Sequence, residues 1–133
     1  FMSAEITNDI SSLGATAGDR LPNVAEQQYS IGLTYDFNVA SKPAFARFDL
    51  NHYGDSYATF AEDKEDMSPS YTKLNLNVGV ELENSYVQLS IDNLTDERTE
   101  AFRFSAESPG YRARNYLQWI PPRSISVQYR YGF

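Results

Sequence analysis

Apolar and polar residues alternate with a period of two in five separate stretches of this chain. "QYSIGLTYDF" (28–37) sets Tyr29, Ile31, Leu33, Tyr35 and Phe37 against Ser30, Gly32, Thr34 and Asp36. "AFARFDLNHY" (44–53) sets Ala44, Ala46, Phe48 and Leu50 against Arg47, Asp49 and Asn51. "KLNLNVGVEL" (73–82) sets Leu74, Leu76, Val78, Val80 and Leu82 against Lys73, Asn75, Asn77, Gly79 and Glu81. "YVQLSID" (86–92) sets Val87, Leu89 and Ile91 against Gln88, Ser90 and Asp92. The ending, "SISVQYRYGF" (124–133), sets Ile125, Val127, Tyr129, Tyr131 and Phe133 against Ser124, Ser126, Gln128 and Arg130. Side chains alternate sides along a strand, so each stretch predicts a β-strand with one apolar face. "FMSAEIT" offers a short sixth strand through Met2, Ala4 and Ile6. No stretch carries a helical period.

The connections differ in length. Short ones are expected at 38–43 and 83–85, long ones at 8–26, 56–70 and 96–120. "ENS" (83–85) between two well-patterned strands predicts a hairpin.

Two environments give period two. A soluble sandwich turns its apolar faces inward. A membrane barrel turns them to lipid and keeps its polar face around the lumen. Three features favour the barrel. Charged groups sit in mid-strand on the polar face, namely Arg47, Asp49, Lys73, Glu81, Asp92 and Arg130. Short turns alternate with long loops, as in outer-membrane barrels. Aromatics gather near strand ends, at Tyr35, Phe37, Tyr53, Tyr57, Tyr71, Tyr86, Tyr131 and Phe133, as interface girdles require. The fold class expected is therefore all-β: an antiparallel transmembrane β-barrel, of which this chain supplies the last five or six strands. Five or six strands cannot close, because a lipid-facing sheet tolerates no open edge and single-chain barrels start at eight strands. Residues 1–133 are accordingly expected to be the C-terminal part of a barrel domain.

Composition narrows the function. The chain has 133 residues and a net charge of −7, which argues against nucleic acid as a partner. It has no cysteine and one histidine, so thiolate metal sites are excluded and a histidine-based metal site or triad has no support. No cofactor is expected. Ten Tyr, eight Phe and one Trp suit strands and membrane interfaces. His52 is expected at a strand end, at the interface.

"GDRLPNV" (18–24), "YVQLSIDNLTDER" (86–98) and the terminal "PPRSISVQYRYGF" (121–133) together resemble the end of a TonB-dependent outer-membrane receptor. The resemblance runs from about residue 13 to 133. It implies a twenty-two-stranded barrel filled by an N-terminal plug. It also implies uptake of a scarce nutrient (an iron–siderophore complex, cobalamin or an oligosaccharide) with energy relayed by TonB. The location implied is the bacterial outer membrane, and the chain is not expected to be an enzyme. Neither plug nor TonB box is in this sequence, so energised transport is not assigned to these residues alone. The partners implied are outer-membrane lipid and lipopolysaccharide, the remaining strands and plug, TonB through that plug, and the small nutrient ligand. Alternating apolar residues with a terminal aromatic look like the signal read by the barrel-assembly machinery: Ile125, Val127, Tyr129, Tyr131 and Phe133.

The long segment 98–119 concentrates candidate chemistry. Arg98, Arg103, Arg112, Arg114 and nearby Arg123 are interleaved with Phe102, Phe104, Tyr111, Tyr116 and Trp119. Guanidinium forks suit carboxylate and phosphate, and aromatic faces stack on rings. Arg103, Arg112, Arg114, Phe102, Phe104, Tyr111 and Trp119 are thus expected to bind ligand or lipopolysaccharide phosphate, against the alternative of a solvated loop packing on itself. The acidic run "AEDKEDMS" (61–68) lacks the spacing and glycine of an EF-hand. "GDRLPNV" reads as a structural loop in which Asp19 and Arg20 pair with neighbouring loops. Asn93-Leu94-Thr95 matches a glycosylation acceptor by accident. A soluble binding module remains the alternative. A barrel enzyme finds no convincing set of acid, base and nucleophile here.

Overall fold

The computed structural model of the chain describes residues 4–60, 66–108 and 111–132, with only the backbone for 105–108 and 111–115. Among the described residues nine strands follow a short 3₁₀ turn: β1 Gln28–Val39, β2 Lys42–Tyr53, β3 Ser56–Tyr57, β4 Met67–Ser68, β5 Tyr71–Glu81, β6 Ser85–Asp92, β7 Glu100–Ser108, β8 Tyr111–Trp119 and β9 Ser124–Tyr131. They form one five-stranded sheet in the order β1-β2-β5-β6-β9 and two hairpins, β3-β4 and β7-β8. The fold is all-β and antiparallel, and the five-stranded sheet does not close.

The contacts divide the chain into two units. One comprises Ser30–Asn51, Thr72–Glu97 and Pro121–Phe133; the other comprises Phe1–Tyr29, His52–Tyr71 and Arg98–Ile120.

The first unit holds the body of the sheet. Its registers align whole rows of like residues across three strands. On one face the rows are Leu76–Ile91–Ile125, Val78–Leu89–Val127 and Val80–Val87–Tyr129. On the other they are Asn77–Ser90–Ser126, Gly79–Gln88–Gln128 and Glu81–Tyr86–Arg130. The apolar face lies open: Val127 is 70% exposed, Leu33 67%, Ile125 65% and Leu89 37%. Among the described residues of the whole chain, Ala15, Ala44 and Ile120 are the buried hydrophobics. Two alanines and one isoleucine make no two-layer core, so the sandwich alternative fails. An exposed apolar stripe backed by a hydrogen-bonded polar face is the wall of a membrane barrel.

Two turns close the short connections. The β1–β2 turn contracts to Ala40 and Ser41, both at positive φ (48° and 63°), where a six-residue connection was expected. Positive φ at both central residues is the type I′ geometry that matches strand twist. The β5–β6 turn is closed by the Leu82 N–H donating to Ser85 O (2.7 Å). Lys42, beside the first turn, pairs with Glu83 of the second at 2.9 Å.

The other unit holds the long connections. Residues 98–120 are not an irregular loop, as the sequence suggested; they build the β7–β8 hairpin. Among its described residues the opening segment, where a sixth strand was expected, makes the isolated bridge Glu5 to Arg20. Met2 and 61–65 of the acidic run lie outside the described residues.

Candidate functional site

The β7–β8 register decides what the arginine- and aromatic-rich segment presents. Phe102 lies opposite Gln118 and Phe104 opposite Tyr116, whereas Arg103 lies opposite Leu117 and Glu100 opposite Trp119. Phe102, Phe104, Tyr116 and Gln118 therefore share one face. Glu100, Arg103, Leu117 and Trp119 share the other, because a bulge between Glu100 and Phe102 shifts the phase. Phe104 and Tyr116 meet at a ring-centroid distance of 6.4 Å, tilted by 40°. The three rings stay substantially exposed. This face can stack on a flat ring, and the Tyr116 hydroxyl and Gln118 amide supply hydrogen bonds at its edge.

Arg103 lies on the face away from Phe102 and Phe104 and is paired within the hairpin. Its Nη2 lies 2.8 Å from Glu100 Oε2 and its Nε donates to the same oxygen at 3.2 Å. Both side chains are mostly buried. The guanidinium braces the hairpin on the face opposite Phe102 and Phe104. Trp119 is exposed, also on that far face. The side chains of Tyr111, Arg112 and Arg114, and all of Phe133, lie outside the described residues.

In "GDRLPNV" Arg20 pairs with a neighbouring segment, as expected, whereas Asp19 bonds within its own turn. Asp19 accepts from the Thr16 N–H (2.7 Å) and hydroxyl (2.9 Å), capping its own turn. Arg20 reaches Asp55 at 3.7 Å and lies over the Tyr57 ring, 5.5 Å from the centroid.

"NLTD" is a hydrogen-bonded knot. Asn93 is 1% exposed and adopts φ 52°, a left-handed conformation that Asn tolerates. Its Nδ2 donates to Glu97 O (2.9 Å) and Pro121 O (3.0 Å), and its Oδ1 accepts from the Glu97 N–H (2.9 Å). The Asn93 N–H donates to Asn75 Oδ1 (3.0 Å), and Asp96 Oδ1 accepts from the Arg123 N–H (3.0 Å). The end of β6, β5 and the approach to β9 are thereby fixed to one another. A glycan has no access to an amide committed in this way.

The polar face is also committed in its middle. Arg47 donates through Nε and Nη2 to Asp49 at 2.8–3.0 Å. Gly32 leaves room for that pair, since a Cβ there would come within 3.0 Å of Asp49 Oδ1. Gln88 Nε2 donates to Asn77 Oδ1 (3.2 Å) and Ser90 Oγ (2.9 Å), and the Tyr86 hydroxyl donates to Gln88 Oε1.

Tyr86 was expected in the lipid-facing girdle. It instead shares the polar row with Glu81 and Arg130. Strand alternation likewise gives Tyr53 and Tyr71, which stack at 4.8 Å, the parity of Asn51 and Lys73. The girdle on the apolar face is made by other rings: Tyr29 stacked on His52 at 4.7 Å, Tyr35 with Phe37 at 5.7 Å, and the exposed Tyr129 and Tyr131. His52 sits at a strand end, as expected, and strand parity puts it on the apolar face.

Phe45 was not singled out by sequence. Its ring lies over Gly79, where a Cβ would come within 2.4 Å of Phe45 Cε1. The signal was available in its parity, which places it with Arg47 and Asp49.

β9 presents Ile125, Val127, Tyr129 and Tyr131 on the open face. It is the last strand in the sheet order, so one of its two backbone edges has no partner among the described strands.

The family model for TonB dependent receptor-like β-barrels matches residues 3–94. That span runs through β1 to β6 and stops within the "NLTD" knot. No curated protein and no solved structure matches the chain. A match over more than half of the chain, joined to an open sheet with one apolar and one polar face, places this protein in the TonB dependent receptor-like β-barrel family, a family of outer-membrane transporters and not of enzymes.

Proposed function

We propose that this chain forms the C-terminal wall of an outer-membrane active-transport receptor in a bacterium. The receptor takes up a scarce nutrient (an iron–siderophore complex, cobalamin or an oligosaccharide) with energy delivered by TonB through a plug carried elsewhere in the protein. The observation that carries the proposal is the uncovered apolar stripe of the five-stranded sheet, backed by a polar face whose side chains bond to one another. The stripe contacts lipid, and lipopolysaccharide covers its upper rim. The polar face lines the lumen and meets the plug.

Within this reading the β7–β8 hairpin contributes to ligand capture through Phe102, Phe104 and Tyr116, with Tyr111, Arg112 and Arg114 near its tip and Trp119 at its base. Arg103 supports the hairpin. β9 delivers the assembly signal: its open edge pairs with another strand, and strand addition is the recognition mode such an edge supports.

The test is uptake in cells. Cells carrying the intact receptor should accumulate one of the three ligand classes. Uptake should cease when the receptor gene is deleted and when the proton gradient is collapsed. Unchanged uptake of all three under both treatments contradicts the proposal.

A further inference from the structure

The apolar face of the five-stranded sheet carries a charge at its short-turn end. Among the positions that share this face in β1, β2, β5, β6 and β9, Lys42 is the one Lys, Arg, Asp or Glu. Ala44 and Ala46 follow it on the same face of β2. Phe45 lies over Gly79 and Lys42 reaches Glu83, so the antiparallel register sets Lys42 beside Leu82 and Ala44 beside Val80. On the other side the Ser30 hydroxyl donates to Asn51 and Gly32 faces Asp49, which sets Ala44 beside Phe37 and Ala46 beside Tyr35.

Two small side chains between taller rows leave a trough. Ala44 is 7% exposed, whereas Tyr35 at 67% and Leu82 at 43% stand clear of it. From Ala44 to Ala46 the trough runs roughly 7 Å along the strand. It opens at Lys42, and Phe48, 46% exposed, closes its other end. Tyr131, paired with Ser85 at the same end of the sheet, is an exposed ring of the kind that marks headgroup depth.

Lys42 Nζ lies 2.9 Å from Glu83 Oε1, and the two side chains are 34% and 87% exposed. An ammonium has three N–H donors and a carboxylate two oxygens, so each keeps hydrogen-bonding capacity after pairing. A dipole of two charges thus stands at the mouth of an apolar trough. Its complement needs an anion for Lys42, a hydrogen-bonding cation for Glu83 and hydrocarbon for the alanines. A phospholipid that joins a phosphate to a primary ammonium carries all three, and its headgroup can lie head to tail along the pair without breaking it. A quaternary ammonium has no N–H for Glu83. A headgroup with phosphate as its only charge meets repulsion from Glu83.

We propose that Lys42, Glu83 and the alanine trough seat an aminophospholipid of the phosphatidylethanolamine type, with phosphate on Lys42, ammonium on Glu83 and one acyl chain over Ala44 and Ala46. The seat rests on the lipid-facing reading of this sheet face and adds a headgroup preference to it.

The test offers the intact receptor, in detergent micelles, phosphatidylethanolamine, phosphatidylcholine or phosphatidylglycerol. Each carries the same photoactivatable group in an acyl chain, and mass spectrometry maps the adducts. The peptide containing Ala44 and Ala46 should be labelled roughly fivefold more by phosphatidylethanolamine than by either other lipid. Glu83→Gln should abolish that difference, and Lys42→Gln should lower labelling by all three lipids roughly fivefold. Equal labelling by the three lipids in the wild type overturns the proposal, as does a preference that survives Glu83→Gln. Quenching of a fluorophore on Leu33→Cys by brominated acyl chains, in vesicles, reports on the barrel reading separately. Without that quenching both readings fall; with it, equal labelling removes the headgroup seat alone.

Discussion

Gly79→Ala isolates one tight contact on the polar face. Two effects oppose each other there. Replacing Gly by Ala restricts the unfolded chain and stabilises by about 0.4–1 kcal/mol where the native conformation accepts it. Gly79 carries no positive φ, so the backbone would accept alanine. The space would not. An added Cβ comes within 2.4 Å of Phe45 Cε1, 2.9 Å of Phe45 Cζ and 2.9 Å of Tyr86 Oη. Carbon atoms in contact prefer about 3.5–4.0 Å, so the Phe45 ring must move by about an ångström. Tyr86 cannot readily yield, because its hydroxyl is tied to Gln88. Overpacking of this kind costs about 1–3 kcal/mol, which exceeds the entropic gain. The expected net is a loss of about 1–2 kcal/mol, or roughly five- to thirty-fold in the folding equilibrium. The assay is urea unfolding of the intact receptor in phospholipid vesicles, for Gly79→Ala, Phe45→Ala and the double variant. In the Phe45→Ala background the ring is gone and only the Tyr86 contact remains, so Gly79→Ala should cost clearly less than in the wild-type background. An equal loss in both backgrounds refutes the proposed contact, as does a gain in the wild-type background.

Further outcomes follow from other contacts. Asn93→Ala removes three side-chain hydrogen bonds and puts alanine in a left-handed conformation; it should cost about 2–4 kcal/mol in urea unfolding, and Asn93→Gly should recover only the conformational share. Ala40→Asn with Ser41→Gly supplies the residues a type I′ turn favours and should stabilise by about 0.5–1 kcal/mol; a loss would show that the turn has another geometry. Arg103→Met and Glu100→Met should each destabilise, and together should cost less than their sum by on the order of 1 kcal/mol. If Arg103 served ligand instead, its replacement would lower ligand affinity and leave stability unchanged. Leu89→Arg should cost about 2–4 kcal/mol in vesicles and Ser90→Arg well under 1, because the first side chain faces lipid and the second the lumen.

Much of the sheet was legible because one physical constraint repeats along it. Lipid on one side and water on the other force period two, and the rows Val78–Leu89–Val127 and Asn77–Ser90–Ser126 carry that constraint across three strands. "NLTD" was legible only as a signature of resemblance; that Asn93 satisfies three backbone groups depends on Pro121 returning past it, and no local pattern shows that. The β7–β8 hairpin escaped because bulges at Glu100/Phe102 and Ala106/Ser108 break the alternation that identifies a strand. Ordinary alternation separates Arg103 from Phe102 and Phe104, with which sequence order interleaved it, and the bulge brings Glu100 onto its face. Tyr86 was assigned to the girdle because aromatic type outweighed position. Its parity with Gln88 and Ser90 was the better guide, and Phe45 was overlooked for the same reason. The β1–β2 turn looked longer than it is because Ala and Ser are not the residues that usually occupy two consecutive positive-φ positions.

The most direct test places single cysteines at Leu89, Ser90, Ser126 and Val127 in the intact receptor, each carrying the same fluorophore, in vesicles with brominated acyl chains or with iodide in the water. The two faces of the sheet predict opposite outcomes for neighbouring residues: positions 89 and 127 quenched by the lipid, positions 90 and 126 by the iodide. Equal quenching of all four by iodide, with none by lipid, would show that water and not hydrocarbon meets the apolar stripe, and the barrel assignment would fall with it.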